Sequence, residues 1–435
     1  MKMIPISQCR QGDIYAVPLN HETDVDSHEA RAPGHGQSDE IEKAVNDHGG
    51  IGGWKVLKRV YAPLDGYVRG REPHNIVHEV DMLRKVDHRH IVNLLSYEYD
   101  EQTVQHTLSL PLYPISLSEL FQDPSFPFPS SSSELDNPVP KIISYQLLCG
   151  VSYLHSLIPP IAHRDLNPSN VMFDAHGNVR IIDFGIAYTS VQARSFQGYS
   201  QGEQEGWKEN DGVMCCDVGT GSYRAPELLF SPSTYDPTKI DLWAVGCIIA
   251  QLFRPFSFGS DSSDSVSSSS SSCSHSSSDP LEEEDPLDSR LNMTGTGSRK
   301  PLFDSAYGSL GLGASIFRVM GRPSMDNWPE FTLLPDSNKM DFPPSSPTPL
   351  DDHLPLLAYL SEEGRRGVLH VIGGLLRLDP SRRVGASEIL NMDWFADLNR
   401  ADVGENVGFK TFLDGAIEKY SILEKSYEED SGRIW

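Results

Sequence analysis

The centre of the chain reads His163-Arg164-Asp165-Leu166-Asn167-Pro168-Ser169-Asn170, and Asp183-Phe184-Gly185 follows a short distance later. Asp165 is a carboxylate that can accept a proton from a hydroxyl group. Asn170 and Asp183 supply oxygen ligands of the kind that a hard cation such as Mg²⁺ prefers. Two acidic turns at strand ends would be the structural alternative. Both motifs, in this order and at short range, favour a site that holds a cation beside a hydroxyl.

Phosphoryl transfer from ATP needs this set of groups. The protein positions the acceptor hydroxyl, accepts its proton and holds metal ions against the phosphate charge, with little covalent chemistry of its own. We therefore predict that Asp165 is the catalytic base, and that Asn170 and Asp183 bind Mg²⁺ next to ATP.

A cation for the phosphates is predicted at Lys58. It lies inside the apolar segment Val56-Leu57-Lys58-Arg59-Val60, which is typical of a strand that turns one lysine inward. Lys55 is the competing choice, and a lysine that faces solvent is the structural alternative. The two apolar residues directly before Lys58 favour it over Lys55.

Glu79 is the predicted partner of this lysine. It lies in a predicted helix over residues 73–83, which opens with a proline and whose apolar residues recur at helical spacing. Glu79 is close to the apolar stripe, so it should face inward, where an unpaired carboxylate is costly. An ion pair with Lys58 would remove that cost.

A loop that covers phosphates needs glycines, because backbone N–H groups must approach the phosphate oxygens closely. Gly34 and Gly36 fit such a loop, but Asp39 stands at the third glycine position, where a carboxylate would repel phosphate. A flexible loop with two glycines is an equally good interpretation.

The adenine contact is predicted where a short strand over residues 107–112 ends. Pro111-Leu112-Tyr113 reads as a hinge whose backbone meets the base. We predict nucleotide contacts at Leu110, Leu112 and Tyr113.

The composition excludes several classes of partner. Of 435 residues 61 are acidic and 36 basic, and the net charge of −25 argues against nucleic acid and anionic membranes. Six cysteines without framework or metal-ligand spacing favour reduced thiols. The N-terminus has no apolar signal core, and the longest apolar run, 242–253, is too short for a bilayer. We expect a soluble protein of the nucleus, the cytoplasm or both.

Composition also predicts the domain boundaries. Residues 257–278 contain 15 serines and an acidic segment follows, so burial would not offset the entropy of ordering and we expect a disordered insertion. The predicted divisions are an N-terminal tail at 1–30, one domain at 31–397 with a small lobe at 31–112 and a large lobe at 113–397, the insertion at 257–300, and a C-terminal tail at 398–435. A poorly defined first strand is the alternative to a tail at the N-terminus.

Together these residues resemble the eukaryotic protein kinases, and the later motifs are similar to those of the cyclin-dependent-kinase branch. Tyr223-Arg224 stands directly before Ala225-Pro226-Glu227, and Ile316-Phe317-Arg318-Val319-Met320-Gly321-Arg322-Pro323 precedes Trp328-Pro329. The resemblance covers residues 30–397 apart from the insertion. It implies an α+β bilobal fold, with a small β-rich lobe that carries one helix, a larger and mainly helical lobe, and ATP between them.

The resemblance also implies roles for individual residues. Lys58 would hold the α- and β-phosphates and pair with Glu79, while Thr220 would brace the catalytic loop around Asp165. Structural anchors are implied as well: Asp241 below the catalytic loop, and Glu227 with Arg383.

One departure from the family concerns regulation. Activation in the family usually rests on a phosphothreonine that three arginines neutralise. Counting back from Tyr223, the phosphothreonine position is Cys215. Two of the three arginine positions read His78 and Tyr188, which leaves Arg164. We therefore predict that this phosphate does not switch the loop.

A second departure is Asn167, which stands where the family has a lysine that contacts the γ-phosphate. Loss of a cation beside the transferring phosphoryl group should slow the reaction without abolishing it.

The favoured hypothesis is a serine/threonine kinase that phosphorylates the activation loop of other cyclin-dependent kinases. The single-subunit activating kinases of fungi are similar in their eroded glycine loop and in needing no loop phosphorylation. A pseudokinase scaffold, favoured by Asp39 and Asn167, and a cyclin-bound kinase proper are the alternatives. The expected partner is a protein substrate, in the favoured case another cyclin-dependent kinase. A cyclin is possible but not required, and we expect a monomer.

Overall fold

The computed structural model describes residues 3–9, 12–19, 36–64, 74–127, 137–190, 209, 213–258, 297–398 and 413–418. These residues form a small lobe built on a β sheet and a larger lobe built mainly from helices. The predicted α+β bilobal fold is therefore confirmed. Gly34 and most of the serine-rich insertion lie outside the described residues.

The sheet of the small lobe is antiparallel and consists of β1 (Ile4–Cys9), β2 (Gly12–Pro18), β3 (Trp54–Tyr61), β4 (Ser96–Asp100) and β5 (Gln105–Pro111). The strand order is β1-β2-β3-β5-β4, so β3 lies at the centre. Its register places Lys58 opposite Ile14 on β2 and opposite Leu108 on β5. Side chains alternate across a strand, so Val56 and Lys58 project from the same face.

The predicted N-terminal tail at 1–30 is wrong over its first part. Strands β1 and β2 belong to the sheet, so the small lobe begins well before residue 31. These strands carry no strong apolar alternation. Main-chain pairing defines them, because β1 pairs with β2 and β2 pairs with the central strand β3. A helix not expected from the sequence, α1 (Gly36–Asp47), lies between β2 and β3.

Helix α2 (Ile76–Leu83) carries Glu79 into the small lobe. Its buried residues include Glu79 and Val80, as the apolar stripe predicts. The helix begins after Asn75, whose side chain accepts a hydrogen bond from the backbone N–H of His78 at 2.9 Å and so caps the first turn. The helix predicted over 73–83 is confirmed over 76–83.

The large lobe consists of the helices α3 (Leu117–Leu120), α4 (Val139–Ser156), α5 (Pro237–Leu252), α6 (Gly308–Met320), α7 (Glu362–Leu375) and α8 (Ala386–Ile389). A small sheet in the order β6-β7-β8 joins them, formed by β6 (Ile115–Ser116), β7 (Val171–Phe173) and β8 (Val179–Ile181). Helix α5 is buried along most of its length, in agreement with its apolar sequence.

A buried ion pair ties two distant parts of the large lobe together. Arg383 Nη1 and Nη2 donate to the two carboxylate oxygens of Glu227 at 2.7 and 2.6 Å. The two side chains are 0% and 4% exposed. The pair implied by the family resemblance is therefore present.

The ends of the predicted insertion pair with each other. Strand β9 (Phe256–Phe258) is antiparallel to β10 (Gly297–Arg299), and residues 259–296 lie outside the description. Arg299 is buried, and its Nη1 donates to the backbone oxygen of Arg254 at 2.6 Å. Within the described ranges, no helix has the length and apolar character needed to cross a membrane.

Candidate active site

Three charged side chains from three different segments meet in the cleft between the lobes. Lys58 on β3 donates to the two carboxylate oxygens of Glu79 on α2 at 2.7 and 3.0 Å, and to Asp183 Oδ1 at 3.0 Å. Lys58 and Glu79 are 5% and 1% exposed, whereas 29% of the Asp183 side chain is exposed. The predicted Lys58–Glu79 ion pair is present. The ammonium group of Lys58 also contacts Asp183, which is the more exposed of the two carboxylates.

Burial and the charge of Lys58 act in opposite directions on the pKa values of these two carboxylates. Burial raises the pKa of Glu79 to about 7, although the charge of Lys58 opposes that shift. Burial by itself would also raise the pKa of Asp183. The charge and hydrogen bond of Lys58 outweigh it, so the pKa of Asp183 lies below its ordinary value. Asp183 therefore stays ionised at neutral pH, as a cation ligand must.

Asp165, Asn170 and Thr220 form a second group. Thr220 Oγ1 donates to Asp165 Oδ1 at 2.6 Å, and Asn170 Nδ2 donates to Asp165 Oδ2 at 3.1 Å. Burial raises the pKa of Asp165 above its ordinary value, and the Thr220 hydrogen bond opposes that shift. The two hydrogen bonds fix the direction of a carboxylate whose raised pKa suits a proton acceptor.

Asp241 holds the catalytic loop from below, as the family resemblance implied. Its two carboxylate oxygens accept hydrogen bonds from the backbone N–H groups of His163 and Arg164, each at 2.8 Å. Arg164 has a φ of +64°, a left-handed conformation that costs a non-glycine residue about 1–3 kcal/mol. The hydrogen bonds to Asp241 offset this cost and present Asp165 to the cleft.

The donors present fit a magnesium ion that is bound together with a nucleotide. Asn170 uses its Nδ2 on Asp165, which leaves the amide oxygen for a cation, and Asp183 contributes a partly exposed carboxylate. In the part of the chain that the structure describes, no cluster of three or more His, Cys, Asp or Glu residues could hold a metal ion by itself. Mg²⁺ usually binds through one or two protein oxygens together with phosphates and water, so two ligands suffice.

The apolar part of the cleft lies beside Lys58 on the same face of the sheet. Ile14 is directly opposite Lys58, and Val56 pairs with Leu110, which the sequence analysis had selected. All three apolar side chains are half-buried, so they present a surface on which an adenine ring can pack. Ile14 and Val56 were missed, since their position follows from the strand register and from no motif.

The other two predicted adenine contacts have buried side chains. Leu112 and Tyr113 are 2% and 3% exposed, so any contact with a nucleotide falls to their backbone. The backbone oxygen of Leu112 accepts a hydrogen bond from Ile51 N at 2.9 Å. The ring of Tyr113 lies 5.8 Å from the guanidinium of Arg180. The hinge is therefore packed on its outer side by the segment before β3 and by the large lobe.

The predicted phosphate loop is contradicted at Gly36, which begins helix α1. The other predicted glycine of that loop, Gly34, lies outside the described residues. The strand–turn–strand element of the sheet is instead β1–β2, with Gly12 at the start of β2. A Cβ atom at Gly12 would lie 1.9 Å from the backbone oxygen of Arg59, so this close approach requires glycine. A single glycine provides too weak a sequence signal to be recognised.

Asn167 has a structural function in the catalytic loop. Its side-chain oxygen accepts a hydrogen bond from Ser169 N at 2.9 Å, and its Nδ2 donates to the backbone oxygen of Asp165 at 3.1 Å. It thereby caps the short helix Pro168–Asn170. This position stabilises the loop but brings no positive charge to the phosphates.

In the segment before Thr220, Glu209 contacts the catalytic loop, and no motif in the sequence predicts this contact. Arg164 Nη1 donates to Glu209 Oε1 at 2.7 Å, and the same oxygen accepts from Cys215 N at 2.8 Å. Glu209 lies in a polar segment without periodicity, so no sequence signal selects it. The Nε2 of His78 lies 2.8 Å from the backbone oxygen of Ala187.

His78 and Tyr188 add no second cation to this region. Burial lowers the pKa of His78 to about 4, so this side chain is neutral at physiological pH. Tyr188 presents its ring to Arg164, whose guanidinium carbon lies 5.2 Å from the ring centre. Of the three positions that carry arginine in the family, one cation remains.

The comparisons with known proteins agree with this geometry. A family model described as "Protein kinase domain" matches residues 28–395. The chain is similar to cyclin-dependent kinase 11.2 of Caenorhabditis elegans, with 27% identity over 263 residues, 60% of this chain and 30% of the relative. It is also similar to cyclin-dependent kinase 20 of Rattus norvegicus, with 30% identity over 249 residues, 57% of this chain and 51% of the relative. The chain thus matches about half of these relatives' length or less.

Two solved structures show the same fold at low sequence identity. One is the crystal structure of the yeast RNA Pol II CTD kinase CTDK-1 complex, with a TM-score of 0.52, 21% identity, and coverage of 80% of this chain and 86% of that chain. The other is the structure of the CAK complex from Chaetomium thermophilum bound to ATP-gamma-S, with a TM-score of 0.56, 20% identity and 90% coverage of each chain. With the family match over most of its length, the chain belongs to the protein kinase family, and its curated relatives are cyclin-dependent kinases.

Proposed function

We propose that this chain is a serine/threonine protein kinase that transfers the γ-phosphate of ATP to a protein hydroxyl. The observation that supports it most strongly is the convergence of Lys58, Glu79, Asp165, Asn170 and Asp183 on one cleft. A scaffold that transfers nothing would gain little from these groups, since burying a charge costs several kcal/mol. The pseudokinase alternative is therefore disfavoured.

In the proposed reaction, Asp165 accepts the proton of the substrate hydroxyl. The hydroxyl oxygen forms a bond to the γ-phosphorus, the bond from that phosphorus to the bridging β-phosphate oxygen breaks, and ADP leaves. Thr220 and Asn170 hold the Asp165 carboxylate in place during this step. Lys58, oriented by Glu79, offers its ammonium to the phosphates. Mg²⁺ held by Asn170 and Asp183 supplies positive charge against the β- and γ-phosphates when bound.

Asn167, which stands where the family has a phosphate-contacting lysine, is expected to lower the rate of phosphoryl transfer. Asn167 hydrogen-bonds within the catalytic loop and leaves the γ-phosphate without a cation from that position. We expect turnover slower by about 10²-fold than in a kinase with that lysine, which is the usual effect of losing one electrostatic contact in the transition state.

The proposed substrate is the activation loop of another cyclin-dependent kinase. This proposal assumes a kinase that is active before any other kinase has acted on it. The segment before Thr220 supports such independence, because at Arg164 a protein carboxylate occupies the position expected for a phosphate. A cyclin-bound kinase proper is the second candidate, and it is favoured by the relatives, which are named cyclin-dependent kinases.

The test uses the purified chain with Mg-ATP and a kinase-dead cyclin-dependent kinase as substrate. The same substrate with its loop threonine changed to alanine is the matched control. Threonine-dependent labelling without added cyclin supports the activating function, whereas labelling that requires a cyclin supports the second candidate. The Asp165→Asn variant should bind nucleotide and transfer no phosphate.

If both wild type and Asp165→Asn bind nucleotide but neither transfers phosphate to any protein, the pseudokinase scaffold is supported instead. Light scattering of the same preparation measures whether the active species is the expected monomer.

A further inference from the structure

The guanidinium of Arg164 is a buried charge next to the catalytic base. Its side chain is 2% exposed, and it directly precedes Asp165 in the chain. A buried arginine cannot lose its proton, so it needs a negative partner. Among the described residues, Glu209 is the one carboxylate within salt-bridge distance of it, at 2.7 Å. Glu209 itself is 8% exposed, so the pair is shielded from water.

This carboxylate also contacts the segment that leads to Thr220. Glu209 Oε1, which accepts from Arg164, accepts a second hydrogen bond from Cys215 N at 2.8 Å. The backbone oxygen of Cys215 accepts from Tyr235 Oη at 2.6 Å, and Arg164 Nη1 donates to the same Tyr235 oxygen at 3.2 Å. Glu209 and Tyr235 thus tie both backbone polar groups of residue 215 to the arginine beside the catalytic base.

We infer that Glu209 is a positioning residue, which replaces a phosphorylated loop residue by holding Arg164 and the Cys215 backbone in the active arrangement. The inference rests on the proposed kinase function. A phosphoryl group would bring about two negative charges and three acceptor oxygens, enough for three arginines. Here one cation is present and one carboxylate balances it, so the charges match without any modification.

The arrangement explains how the protein would reach its active form as synthesised. Thr220 must stay in place for its hydroxyl to hold Asp165 at 2.6 Å. Thr220 lies five residues after Cys215, which Glu209 and Tyr235 hold by its backbone. Without the Glu209 carboxylate, the buried Arg164 would lose its counter-charge and Cys215 N its acceptor. The substrate side of the cleft would then lose order, while Lys58 and Asp183 keep their contacts.

The experiment compares wild type with Glu209→Gln, which keeps the size of the side chain and removes its charge. Both are phosphatase-treated, and phosphate transfer to a protein substrate is measured with Mg-ATP. We expect wild type to retain its activity after phosphatase treatment. We expect Glu209→Gln to lose about 10-fold to 100-fold in kcat/KM for the protein substrate, because the buried Arg164 loses its counter-charge even though an amide oxygen can still accept hydrogen bonds. The Kd for the nucleotide should change less than about twofold, because Lys58 and Asp183 are untouched.

Two further variants separate positioning from general damage. Glu209→Asp keeps the charge and should recover part of the activity, with the thermal midpoint of each variant measured alongside. Glu101→Gln removes an exposed carboxylate in the turn after β4 and should behave as wild type.

If Glu209→Gln has the kcat/KM of wild type, or if phosphatase treatment removes wild-type activity, the inference is wrong and the kinase function stands. If Glu209→Asp is no more active than Glu209→Gln, a charge-based positioning role is wrong as well. If wild type transfers no phosphate at all, the proposed function and the inference fail together.

Discussion

Two buried ion pairs of this protein look alike and differ in what they permit. The Arg383–Glu227 pair in the large lobe is shielded from solvent. Two hydrogen bonds join the side chains, which are 0% and 4% exposed. Lys58–Glu79 in the small lobe is also buried, but its ammonium reaches a third group, the partly exposed Asp183. The first pair lies away from the cleft, and both of its charged groups contact each other, so it contributes to stability only. The second shares one cation between two carboxylates and can exchange one of them for a phosphate.

The chemistry of the cations reinforces this difference. Arginine stays charged whatever its partner does, whereas lysine and glutamate can neutralise by moving a proton. The pKa of Glu79 is already raised to about 7 by burial, so this carboxylate can become neutral at little cost if its partner is removed. Arg383 cannot become neutral in this way. Loss of Lys58 should therefore change stability little, whereas loss of the Glu227 charge should lower stability strongly.

The largest expected effect is on turnover, in Lys58→Met. We expect kcat/KM for ATP to fall about 10²- to 10³-fold, because the cation offered to the phosphates is gone. The thermal midpoint should change little, since Glu79 can take up a proton.

Lys55→Met is the matched control, because Lys55 lies on the same strand and projects from the opposite face. We expect it to retain wild-type turnover. Equal loss of activity in both variants would contradict the assignment of Lys58.

The next effect is on stability, in Glu227→Gln. We expect the free energy of unfolding to fall by about 3–5 kcal/mol, because Arg383 would remain charged and buried without a partner. Denaturant titration measures it, and kcat of the remaining folded protein should stay near wild type. A loss below about 1 kcal/mol would show that the pair is not needed for folding.

A smaller effect is expected from pH, through the buried and neutral His90. Its side chain is 2% exposed, and burial lowers its pKa to about 3. Below pH 6.5, His90 is protonated in the unfolded chain but stays neutral in the folded protein. The contribution of His90 to the free energy of unfolding therefore falls as pH falls, by about 1.4 kcal/mol per pH unit, until the pH reaches its folded pKa.

Denaturant titrations at intervals from pH 7 to pH 4 measure this slope. The His90→Asn variant should show a shallower dependence on pH than wild type. An unchanged slope would mean that His90 binds its proton equally well in the folded and the unfolded protein, so that burial does not lower its pKa.

The smallest effect is expected for Cys215→Ala. Cys215 acts through its backbone N–H and C=O, which the substitution leaves intact. Burial raises the pKa of its thiol, so it carries no charge at neutral pH. We expect kcat/KM to stay within about twofold of wild type. A tenfold loss would show that the thiol itself takes part.

Much of the site could be predicted from the sequence because its parts are local. Asp165, Asn170 and Asp183 lie within one short stretch, and Glu79 lies beside an apolar stripe that turns it inward. The prediction of the glycine loop is wrong at Gly36, because a pattern of two glycines does not reveal that the paired strands β1 and β2 lie nearer the N-terminus. Glu209 was missed, because its role depends on a contact with Arg164, which lies 45 residues away in the chain.

The sequence by itself determined the catalytic loop and the ion pair Lys58–Glu79, since spacing and apolar period record where local elements place their side chains. The fold class followed from the resemblance of its motifs to those of the protein kinases. Only the tertiary structure decided which strands complete the sheet, which apolar residues lie beside Lys58, and which carboxylate balances Arg164. These depend on register and on contacts between distant segments. A buried charge is satisfied by whichever group the fold brings within hydrogen-bond distance, and no local pattern in the chain encodes that choice.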